Sequence, residues 1–305
     1  MLSKFDIQKE LGKEICVFPL DLSNIKENSI NLCAGKFAWS MATREVFFSE
    51  KENDKNRRFS LTEDSEHCIS VKIEKGKSAI LKGNNGEQYI LILPLSTTLI
   101  ETKEVLAVSS KIGGTYHSKV GLVSKGLGHI GTMVGPNYSG DSLIALHNVS
   151  NELLVLSVGE SFVSVVFHYL NTPFTYSNPT TSGHTDKFSS LGIEVSETEL
   201  TELNQDWKKK FEEVQRRMCE TEAYQVLQKE LKEQRMKNFR RFFCKRNIIT
   251  IAVTIVVLIL LYDLAALFDQ KSGETIWVDR YFSVGFSGIF VAIFTAVVNV
   301  LKNKR

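Results

Sequence analysis

Two apolar runs near the C-terminus constrain this chain more than any other feature. Residues 248–268 read IITIAVTIVVLILLYDLAALF and residues 281–301 read YFSVGFSGIFVAIFTAVVNVL. At about 1.5 Å of rise per residue, a helix of either run is long enough to cross a hydrocarbon core of about 30 Å. Asp263 is the one charge in the first run, and the second has none. Residues 269–280 between them form a short polar turn containing Gly273, so the two spans are expected to be antiparallel neighbours. Arg235, Lys237, Arg240, Arg241, Lys245 and Arg246 precede the first run, and the tail 302–305 adds Lys302, Lys304 and Arg305. The turn carries only Lys271 and Arg280. The bias of basic residues toward the cytoplasm then puts both outer flanks inside. The expectation is a multi-pass protein of the inner (plasma) membrane, with the lipid bilayer as a partner and both termini cytoplasmic.

Two features of the hairpin go beyond anchoring. Gly288, Ala292 and Ala296 recur every four residues. Small residues on one helix face allow another helix to approach closely, within the hairpin or between copies. Asp263 costs on the order of 2.5–3.5 kcal/mol at mid-span, and less near a headgroup. These four residues are the candidates for a membrane output.

The chain as a whole is nearly neutral, with 37 Lys+Arg against 35 Asp+Glu and a formal net charge of +2. That balance argues against a nucleic-acid partner that depends on a basic surface. Cys16, Cys33, Cys68, Cys219 and Cys244 include no CxxC pair, and their number is odd. Neither a disulfide framework nor a zinc site is expected, and no cofactor is implied. The N-terminus lacks the apolar run of a signal peptide.

Residues 191–247 read as an amphipathic helical stalk. Ser196-Glu-Thr-Glu199 has the spacing of a capping box. Leu200, Leu203, Trp207, Phe211, Val214 and Met218 follow at three or four residues, then Ala223, Leu227 and Leu231, with no proline from 196 to 246. One long helix is expected. Its stripe drifts from a strict heptad, so it either forms an imperfect coiled coil or packs on its own domain.

Residues 1–190 read as β-rich. Apolar runs at 68–73, 89–95, 105–109, 143–146, 153–156 and 162–167 are broken by Gly, Asn and Ser clusters such as KGNNG at 82–86. A barrel or sandwich is the expected class.

This N-terminal region resembles the dCTP deaminases. LSKFDIQKEL at 2–11 looks like their opening helix, and SINLCAG at 29–35 like their "SIDLRLG" strand. Gly121-Leu122 is similar to the end of "RSSLxRxGL", and VGPNYSG at 134–140 to "IDPGWSG" and the dUTPase "VDxxYxG". Leu146-His147-Asn148 is similar to the end of "LEFxN". The resemblance implies a distorted β-barrel, a homotrimer, and nucleotide sites between subunits. It points to Thr115, Tyr116, Ser118, Lys119, Tyr138 and Asn148 as candidate ligand- or phosphate-binding residues.

The departures are chemical. The family's general-base glutamate falls on Ala145, which cannot move a proton. The "IDPG" aspartate falls on Gly135, and the two arginines fall on Gly114 and Lys119. Lysine meets phosphate only as a point charge. His147, two residues from Ala145 and so on the same strand face, is the candidate substitute base.

Three functions follow as expectations. The first is a membrane-anchored sensor of nucleotides or cyclic nucleotides, catalytically silent, that drives the hairpin as an effector in bacterial antiviral defence. The second is an active tethered dCTP deaminase or dUTP diphosphatase. The third is a trimeric interaction platform.

Overall fold

The computed structural model describes residues 1–49, 58–62, 68–83, 86–174 and 182–242, with isolated positions from 256 to 278. The predicted span 281–301, including Gly288, Ala292 and Ala296, lies outside the described residues, as does most of 248–268.

Helix α1 (Lys4–Glu10) opens the chain, started by a capping box between Ser3 and Asp6. The strands follow: β1 (Ile15–Phe18), β2 (Ile30–Ser40), β3 (Arg44–Phe48), β4 (Phe59–Ser60), β5 (Ile69–Ile73), β6 (Ile80–Lys82), β7 (Gln88–Ile92), β8 (Ser96–Val108) and β9 (Ile112–Ser118). After the short helix α2 (Val120–Val123) come β10 (Leu127–Gly128), β11 (Met133–Val134), β12 (Ser139–Asn148), β13 (Leu154–Ser157) and β14 (Ser161–Tyr169).

The main sheet runs β10-β12-β8-β2-β14-β9-β11, with β1 also on β8, and every pair is antiparallel. Two smaller sheets, β13-β7-β6 and β4-β3-β5, accompany it. Strands β2 and β8 are buried along nearly their whole length, with Lys36 and Lys103 as the exposed breaks. Such continuous burial requires cover on both faces. One cover is the cluster of Phe48, Phe59, Tyr89 and Leu91, which the small sheets supply. The other contains Phe37, Trp39, Leu99, Phe188, Ile193 and Leu203.

The last three of these residues come from beyond the strands, and they change the reading of residues 191–247. The segment is a series of short elements: α3 (Phe188–Leu191), α4 (Glu197–Leu203), a 3-10 turn at Asp206–Lys209, α5 (Phe211–Cys219) and α6 (Glu222–Phe242). The capping box at Ser196 is present, with Glu199 N–H donating to the Ser196 hydroxyl at 3.3 Å and Ser196 N–H to the Glu199 carboxylate at 2.9 Å. The single long helix is not.

It breaks because its polar residues find partners elsewhere. The Lys208 carbonyl accepts from Ser139 Oγ at 2.7 Å, and Lys208 Nζ sits 2.5 Å from Asp141. At the next break the Thr221 hydroxyl donates to the Met218 carbonyl and accepts the Tyr224 N–H, ending α5 and starting α6. Leu203, Val214 and Met218 are fully buried. Gln215 Nε2 donates to the Gly12 carbonyl at 2.7 Å, and Val17 N–H points at Met218 Sδ at 3.2 Å. Gly12 has φ +79°, and a Cβ there would collide with the Tyr224 ring. The first compact unit therefore runs Met1–Gln228, past the expected boundary at 190.

The second unit is Lys229–Arg305. Its described helical positions include Val256, Val257, Ile259, Leu260, Leu264, Leu267 and Phe268, all exposed apolar side chains, with Asp263 exposed among them. Among the described residues no helix is long and apolar enough to cross a membrane.

Candidate functional site

Strand β9 carries three of the sequence-predicted positions, Thr115, Tyr116 and Ser118. Its partner β11 lies alongside with Met133 opposite Thr115 and Val134 opposite Gly114. On its other side β9 lies close against β14, where a Cβ at Gly114 would stand 2.9 Å from the Val166 carbonyl oxygen. A groove of about 250 Å³ opens between β9 and β11, lined by Thr115, Tyr116, His117, Ser118, His129 and Thr132 among others.

The groove is held by short-range polar pairs. Thr115 Oγ1 lies 3.0 Å from His117 Nε2. Ser118 Oγ accepts the His129 N–H at 2.8 Å and lies 2.7 Å from His129 Nδ1. Nε2 is buried and meets no partner in its surroundings. Burial also lowers the His129 pKa, so the ring is held neutral. Tyr116 turns the other way: its hydroxyl bonds Ser142 Oγ in the interior, and burial raises the phenol pKa above the usual range.

The remaining predicted residues scatter. Lys119 Nζ reaches Ser161, 3.0 Å from the hydroxyl and 3.3 Å from the carbonyl, which leaves its ammonium at the edge of β14. Tyr138 is buried with its hydroxyl on the Asp141 carbonyl. Asn148 is 1% exposed. Its amide donates to the Ile92 and Glu152 carbonyls at 3.0 and 2.8 Å, and its oxygen accepts from Ser150. Its place is therefore structural, tying β12 to β7, and not on the groove.

Ala145 pairs with Leu99 across β12 and β8. With Leu143 it packs against the cluster of Phe37, Trp39, Phe188 and Leu203. The Trp39 and Phe188 rings are 4.8 Å apart. The strand position that falls on the resembling family's base is thus flanked by apolar side chains, among them Phe188 and Leu203 from this chain's own C-terminal segment. His147 lies further along, its Nδ1 2.8 Å from Thr97 Oγ1.

Sequence reasoning passed over His117 and His129 as groove residues. The available signal was their alternation with Thr115, Ser118 and Gly131 on short strands, where period two sets the faces. Among the described residues no three His, Cys, Asp or Glu side chains are grouped to hold a metal ion.

Comparison with known proteins places this architecture. The chain is 28% identical over 116 residues to dCTP deaminases from Pyrococcus horikoshii and Pyrococcus furiosus, an alignment covering 37% of this chain and 74% of each relative. No protein-family profile matches. Among solved structures it is similar to the 2'-deoxycytidine 5'-triphosphate deaminase of Agrobacterium tumefaciens, with a TM-score of 0.33 and 11% identity over 54% of this chain and 46% of that one. It is also similar to the EIAV dUTPase, with a TM-score of 0.26 and 17% identity over 32% of this chain and 89% of that one. Over the matched 116 residues the N-terminal β region is thus similar in sequence to dCTP deaminases.

Proposed function

We propose that this protein is a membrane-anchored nucleotide sensor whose deaminase-like domain binds without catalysing and controls the C-terminal hairpin. One observation carries the reading. Ala145 is half-buried against an apolar cluster, whereas the groove over Thr115, Ser118 and His129 is polar. A carboxylate is the general base that the related chemistry uses; the one on that face of β12, Asp141, is tied up with Lys208. Fold alone does not fix function, so the argument rests on this site.

Val120, Val123, Ile130 and Met133 stand 84%, 52%, 79% and 82% exposed on α2 and the loop that borders the groove. An apolar rim of this kind suits a second copy of the chain, consistent with a homotrimer that completes the groove from a neighbour. The exposed apolar side chains of the second unit suit a lipid bilayer. In this reading Asp263, Gly288, Ala292 and Ala296 belong to the output, and the protein perturbs membranes in bacterial antiviral defence.

Calorimetry on the full-length protein in detergent, with dCTP, dUTP and cyclic nucleotides, tests it. Binding of at least one without ammonia or pyrophosphate release is the expected outcome, and silence across the panel defeats the sensor. The similarity to the two Pyrococcus deaminases favours a second reading, an active tethered deaminase, which ammonia release from dCTP would establish.

A further inference from the structure

The main sheet is broken at two neighbouring places. Between β12 and β8 the register shifts from Asp141 opposite Val105 to Leu143 opposite Glu101, so residues 102–104 of β8 bulge opposite Ser142. Between β2 and β8 it shifts between Ala34 and Ala38. Bulges interrupt the ladder and re-aim side chains. Gly35 lies in the second, where a Cβ would stand 2.8 Å from the Glu101 carbonyl oxygen.

A cavity of about 520 Å³ lies against these breaks, lined by Gly35, Glu101, Asp141, Glu202, Trp207 and Lys208 among others. Glu101 and Asp141 are 4% and 1% exposed. Lys208 Nζ enters from the 3-10 turn, 2.5 Å from Asp141 and 3.7 Å from Glu101. Burial, with a hydrogen bond to Asp141, pushes the Glu101 carboxyl well above its ordinary range. Lys208 Nζ thus makes its ion pair with Asp141, with the Glu101 carboxyl beside it. Each of the two ions depends on the other, because an unpaired buried charge is strongly unfavourable.

The same bulge is wired to the groove. Tyr116, which lines the groove, bonds the Ser142 hydroxyl. Ser142 N–H donates to Thr102 Oγ1 at 3.0 Å, and the neighbouring Asp141 carbonyl accepts from Tyr138. Asp141 then holds Lys208. Beyond Lys208 the Trp207 ring is fixed by Phe18, 5.7 Å away edge-on, and by the Arg217 guanidinium, 4.3 Å above its face. Arg217 belongs to α5, so the chain of contacts runs from the groove into the C-terminal helices.

We infer that Tyr116, Ser142, Asp141 and Lys208 form a relay through which the state of the groove sets how firmly residues 206–219 are held to the β domain. The inference rests on the groove being the nucleotide site. Lys208 is the two-state element: its ammonium is docked on Asp141, or it swings into the cavity beside it, where Glu202 stands on the wall. A perturbation at Tyr116 moves Ser142 and with it the adjoining Asp141, and so changes the balance between those states. Coupling requires such a bistable contact and not mere proximity.

Hydrogen exchange on the full-length protein in detergent tests this without any ligand. Tyr116→Phe removes the hydroxyl that holds Ser142 and should speed amide exchange at 208–219 by roughly tenfold, the size of one lost hydrogen bond. Exchange in β3 and β5 should not change. Ser142→Ala should act alike, so the result does not depend on one variant folding well. Tyr116→Phe combined with Lys208→Met should exchange no faster at 208–219 than Lys208→Met alone. Unchanged exchange there in both Tyr116→Phe and Ser142→Ala overturns the relay, as does faster exchange spread over the whole unit. Calorimetry with dCTP reports on the groove separately, so loss of the sensor reading and loss of the relay give different signatures.

Discussion

Replacing Ala145 with glutamate would put a carboxyl back on the strand face where related enzymes carry their base. In this chain the new side chain would enter the cluster of Phe37, Trp39, Leu99 and Phe188. Full burial raises a carboxyl pKa by about 3–5 units, and a half-buried position such as 145 would give about two. At about 1.36 kcal/mol per unit, keeping that group ionised costs about 3 kcal/mol. Crowding by the added atoms costs about 1–3 kcal/mol more. The sum, roughly 4–6 kcal/mol, is a large part of the roughly 5–15 kcal/mol that holds a typical domain together. Trp39 lies in the same cluster, so urea unfolding followed by tryptophan fluorescence reads the site directly. The expected result is a midpoint shifted far toward low urea, with no ammonia released from dCTP. A variant of wild-type stability that deaminates dCTP would refute the reasoning, because it would mean that the Ala145 face is open to ligand.

Other substitutions probe neighbouring parts of the argument. Phe188→Ala should cost about 3–5 kcal/mol in the same urea assay, as large-to-small changes in a sealed cluster do; a change below about 1 kcal/mol would show that the C-terminal segment covers this face only loosely. Glu101 has a folded-state pKa raised above its unfolded value, so it disfavours folding increasingly as pH rises from the unfolded value toward the folded one. Glu101→Gln should therefore gain stability relative to wild type as pH rises above the ordinary carboxyl range, and a pH-independent difference would contradict the upward shift. Gly76 has φ +78°, and a Cβ there would collide with the Gly192 carbonyl, so Gly76→Ala should lower the thermal midpoint by several degrees.

What the sequence disclosed follows the range of the forces involved. The Ser196 capping box is local, needing only residues three apart, and it is present as read. The runs at 89–95, 153–156 and 162–167 lie on β7, β13 and β14, because period-two burial is written into each strand. The breaks in the C-terminal segment were not legible. Lys208 leaves the helix for Asp141, 67 residues earlier, and no helical periodicity encodes that partner. Asn148 misled for a related reason: its motif matched, but its amide is spent on β7 and the turn after β12. Ala145 was legible as a missing base. That Phe188 and Leu203 would wall it in was not, because the cover comes from outside the region that resembles an enzyme.

That cover also bears on how such a protein can be taken apart or recombined. Cutting the chain after residue 190 would strip Ile193, Leu203, Val214 and Met218 from the β domain and leave Trp39 and Leu99 facing water. The enzyme-like part is thus not a detachable cassette. A gene fusion that swaps it for another nucleotide-binding barrel must carry residues 191–228 along, so the domain and its outgoing helices are inherited as one unit.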